Sequence, residues 1–395
     1  MSRSVEQLVS RIEEATRPGF RGRLHARGLA RNLIWSKGKL PEGSPPFAPT
    51  LTLDLLSYGL ALFHLGLELR SLDPTNRVAI DAFGRAGEAI ESVIRDGDPD
   101  FTERGFYTVI AAAAYHLGHY SARAFSLFPS NTEALNLSPA ERTLTLLLRR
   151  DLVGLRSVLF EHSDPGGFDQ SLAEKFKQME DGSGLDEVVY ETLNTFYHQA
   201  IAVFDYALDA AGPFYVRMAL ELLDDGIEAA DEYRSVPFWW IFTITRHLLE
   251  DLWDQSLYVR LPNAPADGLE SKWATLRRLF IAKLQRQHRA ELDLWPSQLT
   301  AAARAVDMSD DLVAALPTSA GKTRIAEICI LRALAFGKRI VFVTPLRALS
   351  AQTERALRHT FGPLGFSVSS LYGSSGSTGD DMDSLRNRDI VVATP

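Results

Sequence analysis

Apolar residues recur at helical spacing along most of this chain. Val5, Leu8, Val9 and Ile12 set the pattern near the start. Long apolar-periodic segments follow at 51–72, 78–95, 101–127 and 139–161, then at 169–180, 185–211, 215–233, 237–259 and 268–289. Such spacing predicts amphipathic helices, and few stretches alternate with the period of two that a half-buried strand needs. The breaks Asp73-Pro74, Asp96-Gly97-Asp98-Pro99, Asp164-Pro165-Gly166-Gly167 and Gly212-Pro213 read as helix stops followed by new starts. Residues 18–49, rich in Gly, Pro and Arg, read as a looped connection with one short helix at 29–35. Helices joined by short turns pack antiparallel, so residues 1–290 predict an all-helical domain, either a bundle or a solenoid.

The segment Ala111 to Tyr120 faintly resembles the small-residue contact of a tetratricopeptide unit. The alanine expected after the turn is out of register and no strict repeat is present, so the segment reads as a close helix crossing.

From Leu292 the pattern changes. Strand 311–316, helix 323–336, strand 339–344, helix 349–361 and strands 368–372 and 389–394 alternate as in βαβ units. Ile340-Val341-Phe342-Val343 and Ile390-Val391-Val392 are continuous apolar runs, expected of parallel strands covered on both faces. Right-handed crossovers place ligands at the carboxyl ends of such strands.

One loop in this region carries chemistry. Pro317-Thr318-Ser319-Ala320-Gly321-Lys322-Thr323 joins an apolar run to a helix. Loop N–H groups and the positive end of the following helix converge on one spot, which suits polyphosphate. Lys322 would place its charge on the β- and γ-phosphates of ATP, and the Thr323 hydroxyl would ligate Mg²⁺. A glycine is expected five residues before Gly321, and Leu316 stands there instead.

Composition narrows the partners. The 395 residues carry a net charge of −8, so contact with nucleic acid must come from a local groove. The single cysteine, Cys329, excludes a disulfide within the chain and suits a reducing cytoplasm. The N-terminus lacks a signal-peptide core, and the longest aromatic-apolar run, 237–244, is too short to span a bilayer, so the chain reads as cytoplasmic without a membrane partner. His116, His119, His198 and His247 lack ligands at metal-binding spacing and read as core or surface residues. Phe238-Trp239-Trp240-Ile241-Phe242 reads as interlayer packing rather than base stacking. Arg277, Arg278, Lys283, Arg286 and Arg289 either follow a phosphate backbone or form the solvated face of a helix.

Four further motifs accompany the loop. Trp295-Pro296-Ser297-Gln298 precedes it, Thr344-Pro345-Leu346-Arg347-Ala348-Leu349 closes the next strand, and Thr378-Gly379-Asp380 comes before the final Ala393-Thr394-Pro395. In this order the set resembles the first RecA-like domain of superfamily 2 DExH/D-box helicases, leaning to the Ski-like branch, over about residues 292–395. Pro-Thr-x-x-Gly-Lys-Thr is the loop form this superfamily carries.

With the helical domain (1–290) that the periodicity predicts, the fold expected is α plus α/β, and the resemblance implies that residues 291–395 are a partial RecA-like P-loop domain lacking the Asp-Glu motif and the second lobe. It implies ATP and Mg²⁺ as cofactors, Gln298 reading adenine, and Pro317, Thr318, Ser319, Ala320, Gly321, Lys322 and Thr323 holding phosphates. It also implies Thr344, Pro345, Arg347, Thr378, Gly379 and Thr394 gripping a DNA or RNA backbone. The expected activity is that of an ATP-dependent helicase, with these 395 residues hydrolysing almost no ATP alone and a protein partner docking on the helical domain. Genome maintenance or antiviral defence would suit it. The competing expectation is a helical interaction scaffold with a non-hydrolysing nucleotide lobe. A P-loop kinase or GTPase fits the later motifs poorly.

Overall fold

A computed structural model describes residues 3–36, 47–48, 50–95, 101–130, 132–162, 185–261, 270–287, 290–294, 296–307, 311–315, 321–371 and 386–395. The expected helix at 169–180 therefore lies outside the described residues. The chain divides into two compact units: residues 1–207 with 213–251, and residues 208–212 with 252–395.

The first unit is helical throughout its described residues: α1 (Val5–Thr16), α2 (Phe20–Ser36), α3 (Leu51–Leu72), α4 (Arg77–Ile94), α5 (Arg104–Leu117), α6 (Ser121–Ser126), α7 (Pro139–Leu148), α8 (Leu152–Glu161), α9 (Leu185–Ala210), α10 (Pro213–Glu232) and α11 (Val236–Asp254). The last residues of α9 and α11 belong to the second unit. Capping boxes start α1, where Ser4 and Gln7 exchange hydrogen bonds, and α7, where Ser138 and Glu141 do so with Pro139 in the first turn. Helix α2 is much longer than the short helix expected at 29–35. Gly28 is a packing residue within it: a Cβ there would stand 2.7 Å from Ser92 Oγ and 2.9 Å from the Leu55 side chain.

Two segments expected as single helices are each split. His119 (φ 66°) and Arg150 (φ 59°) take left-handed backbone, ending α5 and α7. The Asp151 carboxylate then accepts from Gly154 N at 2.9 Å and starts α8. The helix crossing read at Ala111–Ala114 is present, with all four alanines fully buried. At its end a Cβ on Gly118 would stand 3.0 Å from Gly84 N. Phe238, Trp240 and Phe242 are buried, with Trp240 stacked on Phe63 at 5.7 Å, so the aromatic cluster is packing.

Charge is buried in this unit as well. Arg70 Nη2 donates to Asp251 Oδ1 at 3.0 Å, and His116 Nε2 lies 3.4 Å from Asp251 Oδ2. His198 places Nδ1 2.7 Å from the Asn194 carbonyl and Nε2 2.9 Å from the Thr143 hydroxyl. No group of three or more metal-ligating side chains occurs among the described residues.

Burial pushes His198 down to about 4 and His247 down to about 3, the latter helped by Arg70 and Arg246. Both imidazoles are therefore neutral in the fold, while in the unfolded chain they gain a proton near pH 6.5. Stability is full above about pH 6.5 and falls as pH drops toward 4, each histidine contributing a loss on the order of 2–3 kcal/mol. Urea unfolding at pH 7, 5.5 and 4 checks this. His247→Phe should flatten the slope, and a variant as acid-sensitive as the parent would contradict the assignment.

The second unit contains α12 (Leu257–Arg260), α13 (Glu270–Gln285), α14 (Pro296–Ala305), α15 (Lys322–Ala335), β1 (Ile340–Val343), α16 (Arg347–Phe361), β2 (Val368–Leu371) and β3 (Ile390–Ala393). The strands form a parallel sheet in the order β1-β3-β2, with Ile340 and Val368 both opposite Ile390. One core joins Trp273, Phe280 and Leu284 of α13 to Ile328 and Leu331 of α15, Phe361 of α16, and Ile390 and Val392 of β3. Helices α12 and α13 thus pack with the sheet, in the unit that holds residues 252–395.

Two strand expectations differ from the structure. Residues 311–315 form no strand: Val313 is exposed and the three strands pair only with one another. A strand needs a hydrogen-bonded neighbour, and none of the described residues supplies one there. In β1, Val341 and Val343 are 60% and 58% exposed. The described residues cover one face of this strand, whereas the apolar run predicted two.

Candidate nucleotide site and strand-facing residues

Helix α15 ends just before β1 begins, so it runs back along the sheet and its first turn lies toward the carboxyl ends of the strands. Helix α16 begins just after β1, at the same edge. Two helix N-termini, with their unsatisfied N–H groups, are thereby brought to the edge where ligands bind in such sheets.

Gly321 caps α15 in left-handed conformation, with φ 81° and ψ 26°. This backbone favours glycine. Lys322 and Thr323 form the exposed first turn. Gln298, on α14 and only 5% exposed, donates from Nε2 to the Gly321 carbonyl at 3.2 Å. A Cβ on Gly321 would sit 1.9 Å from that nitrogen, so the two residues interlock. Pro317, Thr318, Ser319 and Ala320 lie outside the described residues.

Residues with no motif status fix this turn. Arg324 Nε and Nη2 both donate to Glu291 Oε2, at 3.0 and 2.6 Å. Arg324 also pairs with Glu327 and lies over the Phe280 ring at 5.6 Å. Glu327 accepts from the Thr360 hydroxyl at 3.0 Å, linking α15 to α16. Burial raises the Glu327 carboxyl above its ordinary value, against the pull of Arg324. The i, i+3 spacing of Arg324 and Glu327 was a visible signal for this pair. Glu291 and Thr360 left none.

At the end of β1, Thr344 N donates to the Ala393 carbonyl at 2.9 Å. The parallel register therefore sets Thr344 beside Thr394. The Thr344 hydroxyl is turned inward, paired with buried Ser350 and 3.3 Å from the Leu346 carbonyl. It shapes the turn that leaves Pro345 and Arg347 exposed at the start of α16. Thr378 and Gly379 lie outside the described residues.

The basic stretch on α13 is divided. Arg277 is half-buried and donates to the carbonyls of Leu261, at 2.9 Å, and Tyr258. Burial lowers its pKa from the usual arginine value. It caps α12 and is not available to a ligand. Arg278 and Arg286 are exposed, and Arg289 lies outside the described residues.

Comparison with known proteins agrees with this geometry. A family model described as DEAD/DEAH box helicase matches residues 295–395. Hachiman protein HamB of Bacillus cereus is 22% identical over 375 residues, covering 93% of this chain and 31% of HamB. The ATP-dependent DNA helicase Hel308 of Methanocella arvoryzae is 30% identical over 103 residues, 26% of this chain and 14% of that protein. The DExH-box ATP-dependent RNA helicase DExH15 of Arabidopsis thaliana is 49% identical over 51 residues, 13% of this chain and 4% of that protein. The chain thus spans less than a third of each of these relatives. No helix among the described residues is long and apolar enough to cross a membrane. With the cap glycine and the parallel sheet in place, residues 295–395 match the DEAD/DEAH box helicase family and follow a large helical region in the sequence.

Proposed function

We propose that this chain is the N-terminal part of an ATP-dependent nucleic-acid helicase or translocase. The observation that carries the reading is Gly321 in left-handed backbone opening α15, with Lys322 and Thr323 exposed on its first turn, inside a helicase-family domain. Residues 317–323 hold the phosphates of ATP, with Lys322 as the point charge. The Thr323 hydroxyl is an oxygen ligand of the kind Mg²⁺ prefers, and bound Mg²⁺ supplies charge neutralisation between the phosphates. Gln298 reads the adenine edge and, through its bond to Gly321, ties base recognition to the loop.

Nucleic acid is held by its backbone, through Pro345, Arg347, Thr378, Gly379, Thr394 and the main chain at Thr344. Relatives named for DNA and for RNA both share these chemical needs. The helical unit serves as the accessory and partner-docking domain, and the match to HamB runs through it. Genome maintenance or antiviral defence is the setting that such a helical accessory suits.

The test is strand separation by the complete protein. Lys322→Ala should reduce ATP-driven unwinding to background while the circular dichroism spectrum is retained. Unwinding that survives Lys322→Ala would overturn the reading, and partner binding insensitive to the same change would favour the helical scaffold.

A further inference from the structure

Helices α13 and α16 run antiparallel where they meet. Phe280 stacks on Phe361 at 6.2 Å, and further along α13 Lys283 Nζ donates to His359 Nε2 at 3.1 Å. One more turn in the same direction brings Arg286, the first residue past the end of α13, and Arg355 on α16, both exposed. Elsewhere in this acidic chain several arginines meet carboxylates: Arg3 with Glu68, Arg123 with Glu88 and Glu91, Arg156 with Asp205, Arg246 with Asp224. Lys283, Arg286 and Arg355 have no carboxylate partner among the described residues. The nearby carboxylate of Glu354 is already taken by Arg358 and by the Ser370 hydroxyl. An ordinary solvated face in a chain of net charge −8 would intersperse both signs, and this face holds cationic and donor groups against one another.

We infer that Lys283 of α13 and Arg286 just past its end, with Arg355 and His359 of α16, form a second contact for the phosphate backbone of a single nucleic-acid strand. Arg347, Arg355 and His359 share one broad side of α16, at i, i+8 and i+12. At 1.5 Å per residue, the cluster begins roughly 12 Å along the helix from the proposed grip at Arg347 and ends roughly 18 Å from it. A strand leaving that grip along α16 meets the cluster next. The contact reads charge and no bases, so it serves DNA and RNA alike. It rests on the nucleic-acid part of the proposed function and needs no ATP.

The test is fluorescence anisotropy of labelled oligo(dT) against the full chain, without nucleotide, from 50 to 200 mM salt. Each lost phosphate contact on a single strand shallows the slope of log K against log[salt] by about 0.7. The triple variant Lys283→Ala, Arg286→Ala, Arg355→Ala should therefore lose about 2 from that slope, and Arg286→Glu alone should shift it the same way. Arg217→Ala, exposed on α10 of the first unit, should leave it unchanged. Equal slopes for wild type and triple variant would overturn the second contact alone. Absence of wild-type binding at 50 mM salt would overturn it together with the nucleic-acid reading, leaving any response to ATP to be judged separately.

Discussion

Asp251→Ala is expected to destabilise the helical unit by about 3–5 kcal/mol, the largest effect of any single change considered for this unit. The carboxylate is the shared partner of Arg70 and His116, and all three side chains are withdrawn from water. Burial alone would raise the Asp251 carboxyl, but the His116 imidazole and the Arg70 guanidinium outweigh it and hold the group well below the carboxylate range. Removing Asp251 leaves a guanidinium in a low-dielectric site with no counter-charge, which costs far more than the net worth of the pair. The double change Arg70→Met with Asp251→Leu should be much milder, since neither charge then remains to be desolvated. The sign with pH follows from the depressed carboxyl. Its contribution is complete above about pH 4, the unfolded value, and fades as pH falls below that. Urea unfolding of the three proteins at pH 7 checks the ranking, and a loss under about 1 kcal/mol for Asp251→Ala would contradict it.

Gly321→Ala should abolish nucleotide binding although it leaves Lys322 and Thr323 in place. Two costs act together. A φ of 81° costs an L-residue about 1–2 kcal/mol, and the added methyl would lie 1.9 Å from Gln298 Nε2. The Gln298 amide is the movable party, so it is expected to swing off the Gly321 carbonyl and release the first turn of α15. Adding Gln298→Ala should relieve the overlap and restore much of the lost fold stability. It should not restore nucleotide binding, because the backbone cost remains and the amide proposed to read adenine is gone. Thermal unfolding with and without Mg²⁺–ATP separates these effects. A Gly321→Ala protein with a wild-type ATP response would show that the glycine conformation does not matter.

Helix α15, β1, α16 and β3 were legible in the sequence because apolar runs bounded by Gly-Lys-Thr and by Thr-Pro admit few other arrangements. The strand expected at 311–316 was not formed among the described residues, since an apolar run says nothing of whether a neighbour is there to pair with it. Helix α2 was hidden by composition. Gly28 weakens a helix by propensity, yet here it makes room for Ser92 and Leu55, and tertiary packing overrides the local preference. Arg277 illustrates the same limit. Its charge suggested a phosphate ligand, and the fold spends it on the carbonyls at the end of α12. Pairs distant in sequence left no pattern at all. Arg324 meets Glu291 across 33 positions, and Arg70 meets Asp251 across 181.

The central claim, that residues 317–323 bind ATP, is tested most directly by the thermal stability of the full chain with Mg²⁺–ATP. At about 100 times the dissociation constant the ligand should stabilise the second unit by roughly 2.7 kcal/mol, and Lys322→Ala should remove that shift without changing the melting of the ligand-free protein. A wild-type protein that shows no shift at saturating Mg²⁺–ATP, or a shift that Lys322→Ala leaves intact, would contradict the account.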